Sequence, residues 1–326
     1  MKPAFSVIFL TTLIGAAQGL FLALFTAQSY ALFNLLPAQS SQSFYAVGTL
    51  LVLVLSALGL FSSFFHLGRP ERAWRSAAMW RTSWLAREVI VLPAFMGVVF
   101  LYGVAHFMDW KPPVATLPFG IVIDATLVLG VLGTVLAFAL FVCTGMIYAC
   151  LPFLREWHSP LTVLNYILMG GASGFTLAAA FAADRGPGLS RFYAIWALIL
   201  TLLALAGRCA SLLRNSRLKP KSTLQTAIGI KHPRIVQKSA GFLGGSFNTR
   251  EFFHGKSPLT LRSVKWVFLA AAFVFPVLLL LAGLRGDFPH ALPLAFAVQY
   301  LGLLFERWYF FAQANHPQNL YYQAIA

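Results

Sequence analysis

Two ionisable residues stand where charge is costly. His66 closes one long apolar run and Glu88 opens the next, with Arg69, Arg72, Arg75, Arg81 and Arg87 between them. Ionisable groups at membrane depth are rare and count as functional candidates. An imidazole titrates near neutral pH, and burial pushes a carboxyl towards the range where it exchanges protons. A histidine and a glutamate at one water interface of a helical bundle could therefore move protons to or from a lipid-soluble carrier. A quinone is such a carrier, since it gains or loses protons together with electrons. In that chemistry His66 hydrogen-bonds a carbonyl oxygen and Glu88 relays protons. The structural alternative is that His66 caps its helix while Glu88 neutralises Arg87 or Arg72.

A second cluster, Glu306-Arg307, lies in the run Leu304–Phe311. Adjacent helical residues do not face each other, so each of these two needs a partner on another helix or at the interface. The plainer alternative has Arg307 snorkelling to head groups while Glu306 pairs locally.

The elements that position these groups are helices in a membrane. The chain is 59% hydrophobic and 10% charged, where a soluble domain carries roughly a quarter charged residues. A bilayer core needs about 20 apolar residues per helix. On that ruler the sequence predicts an all-α bundle of eight spans: Phe5–Leu35, Ser43–Phe65, Glu88–Phe107, Pro118–Ala149, Leu161–Ala183, Phe192–Leu213, Val264–Leu284 and Ala291–Phe311. The first apolar run is too long for a signal peptide and reads as an uncleaved span. An even number of spans puts both termini on one side.

Loop charge chooses the side. One face collects Lys2, the arginines from Arg69 to Arg87, Arg155 and the long 214–262 loop, whose basic residues are opposed only by Glu251. The other face nearly balances Lys111, Arg185, Arg191 and Arg285 with Asp109, Asp184 and Asp287. The positive-inside rule makes the first face cytoplasmic, giving an N-in/C-in topology with His66 and Glu88 at the cytoplasmic interface. The net charge of +15 is then topology signal and attraction to anionic lipid, with no nucleic acid implied. Residues 1–326 read as one anchor domain. Within it the 214–262 loop, glycine- and aromatic-rich over 241–255, suits docking of a partner subunit.

Several chemistries are excluded. The three cysteines, Cys143, Cys150 and Cys209, form no C-x-x-C pair, so the chain by itself supplies no iron–sulfur or thiolate zinc site. There is no P-loop, no G-x-G-x-x-G and no G-x-S-x-G. Haem b finds little support: His106 and His290 lie near outer span ends, and His66 has no intramembrane histidine opposite it. Tyr148, Trp157 and His158, around the connection between the fourth and fifth spans, read as interfacial belt residues.

With these residues in view, the chain resembles the membrane-anchor family of dimethyl sulfoxide reductase, the DmsC type. Phe65-His66-Leu67-Gly68-Arg69-Pro70 with Arg72-Ala73-Trp74 is similar to that family's H-L-G-x-P-x-R-A signature. Ser83-Trp84-Leu85-Ala86-Arg87-Glu88 resembles its S-x-L-S-x-E element, and Met146–Leu151 with Trp157 and Pro160 matches a further block. The resemblance implies an anchor that exchanges electrons between quinone (ubiquinone or menaquinone) and the nearest cluster of a four-cluster iron–sulfur subunit. That subunit in turn serves a molybdopterin catalytic subunit, so the molybdenum and iron–sulfur cofactors lie outside this chain. It also implies His66 and Glu88 as quinone-site residues, with Arg69, Arg72 and Arg87 holding the loop and Glu306 and Arg307 as further contacts. One departure is the length of the 214–262 loop. Its Asn248-Thr249-Arg250-Glu251-Phe252-Phe253 stretch, with Glu306–Phe311 and Tyr321-Tyr322, looks like a subgroup related to the sulfite dehydrogenase anchor. Members of that kind work with a catalytic pair on the cytoplasmic side of a bacterial inner membrane, in agreement with the charge rule.

The expectation is thus a multi-pass quinone-reactive anchor used in cytoplasmic sulfite oxidation. An anchor for quinol-driven S-oxide or N-oxide reduction is the second reading. A transporter would need polar residues or helix breaks near mid-bilayer in paired halves. Here the ionisable residues gather at one interface. A purely structural anchor is the remaining rival.

Overall fold

The computed structural model describes residues 1–116, 121–236, 238, 251–286, 288 and 290–320. Among these, seven helices are long and apolar enough to cross a membrane. They are α1 (Phe5–Leu32), α2 (Ser41–His66), α3 (Trp84–Phe107), α4 (Ala125–Ala149), α5 (Pro160–Ala183), α6 (Gly188–Ser216) and α7 (Pro258–Arg285). An eighth helix, α8 (Ala291–Ala312), packs into the same bundle and buries Gln299, Glu306 and Arg307.

The helix starts are written in short polar residues that accept otherwise orphaned backbone N–H groups. Ser83 accepts from Ala86, Asp124 from Leu127, Ser159 from Leu161 and Ser257 from Thr260. Pro160 and Pro258 follow their serines at the first helical turn, where a missing N–H costs nothing. These caps correct several expected limits. Ser83 starts α3 a full turn before Glu88, placing Glu88 inside the helix rather than at its opening. Asp124 starts α4 at Ala125, so Pro118 does not begin that span. Residues 117–120 lie outside the described ones, and the flanking Pro113–Thr116 and Val122–Asp124 pair as a short antiparallel hairpin, β1–β2. The loop expected over 214–262 narrows, because α6 continues to Ser216 and α7 begins at Pro258. Its residues 239–250, including Asn248, Thr249 and Arg250, lie outside the described ones, as do Tyr321 and Tyr322.

The centre of the bundle is the crossing of α1 and α5. Gly15 and Gly19 of α1 meet Gly170 and Gly174 of α5, a small-xxx-small pattern on both helices that lets backbones touch. A methyl group on Gly174 would sit 2.1 Å from the Gly19 carbonyl carbon, and one on Gly19 would sit 2.2 Å from the Gly170 oxygen. Around this crossing Phe21, Phe95, Tyr102 and Tyr193 are fully buried and knit α1, α3, α5 and α6 into one core. The first three turns of α1, just below the crossing, are the wall against which the site is built.

Candidate functional site

Glu88 sits in the second turn of α3 and accepts a hydrogen bond from the hydroxyl of Thr144 on α4. It faces a cavity whose accessible surface is mostly apolar, with polar groups contributed by Thr11 and Gln18 of α1, Thr144 of α4, Tyr166 and Ser173 of α5 and Arg307 of α8. The cavity encloses about 450 Å³ of free space counted to its open mouth. It is nowhere wide: its clear room suits water molecules rather than a ring.

Arg307 belongs to a second constellation deeper in the bundle. Glu306 is fully buried and lies between two guanidinium groups. Its Oε1 is 2.7 Å from Arg208 Nε, and its Oε2 is 3.5 Å from Arg307 Nε. Arg307 also lies over the ring of Tyr166, 3.8 Å from its centre, and Arg208 lies over Phe268 at 5.4 Å. Cation–π contacts of this kind gain strength when desolvated. Arg307 therefore does not snorkel to the head groups; it points into the bundle. Glu306 pairs both with its neighbour and across to α6.

His66 ends α2 in an exposed position, with Nδ1 3.1 Å from the Ser6 hydroxyl on the first turn of α1. Among the described residues it makes no hydrogen bond or ion pair with Glu88. The two are linked instead through α1. Ser6, which holds His66, lies one helical turn, about 6 Å, from Leu10, which lines the Glu88 cavity. The structure thus brings Glu88 and Arg307 into one cavity and leaves His66 at the surface, outside that lining.

The arginines of the connecting segment do different work. Arg87 donates from Nε to the Trp80 carbonyl at 2.9 Å and from its terminal nitrogen to the Arg81 carbonyl at 2.8 Å, while stacking on Trp84 at 4.2 Å. It clamps the end of the segment to α3, so it is not the partner of Glu88. Among the described residues Arg72 reaches only the exposed Glu71, at 3.8 Å. Arg69 is exposed.

One further expectation changes. Trp157 is not a belt residue: it is buried, donates to the Phe310 carbonyl at 2.8 Å and stacks on the Phe310 ring. His106 lies towards the opposite face, between Tyr45 and Tyr102 at 4.7 and 4.5 Å, with Nδ1 3.2 Å from the Ser41 hydroxyl. His290 sits just before α8. These two histidines share no contact among the described residues.

Sequence reasoning missed Arg208 and Thr144. Arg208 had a readable signal, a single cation inside the apolar run Phe192–Leu213, where an unpaired charge would demand a partner. Thr144 had none, because a threonine in a span usually bonds its own helix.

Fold and site together define a multi-pass membrane protein whose interior charges are tied to a few polar residues near one face. The DMSO reductase anchor subunit (DmsC) family profile matches residues 1–304, and the chain belongs to that family. It is 60% identical, over 328 residues that cover 100% of each protein, to a subunit of the sulfite dehydrogenase of Allochromatium vinosum.

Proposed function

We propose that this chain is the quinone-reactive membrane anchor of a molybdopterin oxidoreductase, passing electrons between a partner iron–sulfur subunit and the quinone pool during sulfite oxidation. The observation that carries the reading is Glu88, held by Thr144 in a narrow cavity with Arg307, whose Leu10 wall lies one turn of α1 from Ser6, the partner of His66. The full-length likeness to a sulfite dehydrogenase subunit supports the substrate side. In this reading all eight helices span a bacterial inner membrane, both termini and the 217–257 connection face the cytoplasm, and the connection docks the iron–sulfur subunit. The S-oxide reductase alternative rests on the family's description.

The donor set fits a quinone head group. The exposed His66 imidazole offers an N–H to one carbonyl oxygen at the surface, and Glu88 stands behind it as a carboxyl with water-sized space alongside. Bound quinone would supply the redox chemistry, accepting electrons from the partner and protons from its surroundings. Ser6 orients the His66 ring. Thr144 fixes one Glu88 oxygen and leaves the other for proton exchange, and Arg307 lines the same cavity. Arg87 keeps the connecting segment against α3, which positions the approach to His66.

The test uses the complex purified with its partner subunits, first checked for molybdenum and iron. Sulfite-dependent reduction of a short-chain quinone should fall about 100-fold in Glu88→Gln, and His66→Ala should raise the quinone KM. Electron delivery to ferricyanide should stay unchanged. Unaltered quinone turnover in both variants would leave only a structural anchor. A complex that oxidises no sulfite but consumes quinol with an S-oxide would establish the alternative.

A further inference from the structure

A second narrow cavity, of about 310 Å³ counted to its mouth, begins at Glu156 and Ser159 on the connection between α4 and α5. It runs past Thr162, Asn165 and Ser211 to Glu306 and Arg307. Arg307 and Met169 line both this cavity and the one that holds Glu88. The mouth is braced by Arg214, which donates to the Arg155 and His158 carbonyls at 3.0 and 2.9 Å, and by Asn215, which donates to the Glu156 carbonyl at 3.3 Å. Midway, Asn165 Nδ2 donates to the Ser211 hydroxyl at 2.8 Å, and its Oδ1 is buried with no protein partner among the described residues. A buried amide oxygen is costly unless it is bonded. One that lines a polar, water-sized space is satisfied by water.

We propose that the two cavities form one water-filled proton path from the loop face to Glu88, with Asn165 and Glu306 as positioning residues. The inference rests on the quinone reading above. Each quinone reduced by two electrons takes up two protons. The path delivers them one at a time from bulk water at Glu156, through water held by the Thr162, Asn165 and Ser211 side chains, to the Glu88 carboxylate. Glu88 passes each proton to the carrier and is recharged from the same side. Glu306 does not carry the proton. It pins Arg307 where the cavities join and pairs with Arg208 across to α6. Ionisable groups inside spans that face the bundle interior commonly mark such relays.

The experiment has a structural and a kinetic readout, both on the intact complex. Radiolytic hydroxyl-radical labelling oxidises side chains next to bound water, and Met169 is only 3% exposed, so its oxidation reports internal water. Met169 should be labelled in the wild type, fall to background in Asn165→Leu and recover in Asn165→Asp. In Asn165→Leu, quinone turnover should drop about tenfold in kcat with unchanged quinone KM and a larger solvent deuterium effect, while ferricyanide turnover holds. An unlabelled Met169 in the wild type overturns the path. A labelled Met169 with unchanged turnover in Asn165→Leu overturns its proton role. A wild-type complex that reduces ferricyanide but no quinone refutes the quinone reading instead, and labelling still decides whether the path holds water.

Discussion

Arg72 and Arg208 carry the same guanidinium, yet the chain treats them in opposite ways. Arg72 belongs to the exposed segment between α2 and α3, where its side chain is 50% accessible and, among the described residues, reaches only Glu71, at 3.8 Å. Arg208 is 2% accessible, and its ion pair with Glu306 closes to 2.7 Å. At the surface, water and counterions solvate each arginine singly, so the segment can hold many with one nearby acid. Within the bundle there is no bulk solvent, only narrow room for single water molecules, and each charge is placed against another charge, a hydroxyl or an aromatic face. Charge at the membrane edge can be spent on topology and docking; charge in the interior has to be built as a set.

That contrast can be broken most sharply at Glu306. Glu306→Ala leaves Arg208 and Arg307 buried without a counter-charge, and should cost about 3–5 kcal/mol. Thermal unfolding of the purified complex, read by tryptophan fluorescence, would show the loss. A melting curve like the wild type would mean that the triad is solvated after all. Thr144→Val removes one hydroxyl donor to Glu88 at nearly constant volume, and should cost about 1–2 kcal/mol in the same assay. It should also lower quinone turnover with little change in ferricyanide turnover.

A third manner of handling charge appears on the loop face, where His254 and His316 are partly buried as neutral rings. Burial holds both below the ordinary value of 6.5. Each ring also accepts a backbone N–H at Nδ1, from Lys256 at 3.1 Å and Gln318 at 3.2 Å, which a proton on that nitrogen would forbid. Phe252 stacks on His316 at 3.9 Å. The undocked rings protonate first, so docking is full above 6.5 and is lost as pH falls through that value towards the lowered ones. Proteolytic cleavage around Phe252–His254 should therefore speed up between about pH 7 and about pH 5. A flat rate would remove the histidines from the account. The smallest effect belongs to the surface: Arg72→Gln should change stability by less than about 0.5 kcal/mol, and a larger loss would mean that the segment is not solvated as its exposure indicates.

The membrane makes part of this molecule easy to read in advance. All the expected spans but Pro118–Ala149 lie within or close to the observed helices because the bilayer dictates their length, and Glu88 and Arg307 stood out because charge in an apolar run is conspicuous. The turn from Asp124 into α4 was masked by the apolar residues around Pro118, which continue the hydrophobic run without helical structure at Val122–Asp124. Partnerships were less legible still. Nothing local says that Glu88 meets Thr144 of α4 rather than His66, or that Glu306 reaches Arg208 of α6, because these are facts of how helices rotate against one another. Trp157 shows the same limit: its interfacial composition is compatible with the belt, but Phe310 of α8 supplies a burial site that only packing reveals.

The glycine crossing of α1 and α5 has a mechanical meaning. Where backbones touch with no side-chain atoms between them, there is nothing to compress and no rotamer to turn. The two helices behave as a single beam. Leu10 to Gln18 and Tyr166 to Ser173, which wall the Glu88 cavity on two sides, are parts of that beam. Any widening that admits a larger guest must come from the other walls, α3, α4 and α8, and those are the helices that carry Glu88, Thr144 and Arg307. Opening the cavity and rearranging its charges are thus one motion.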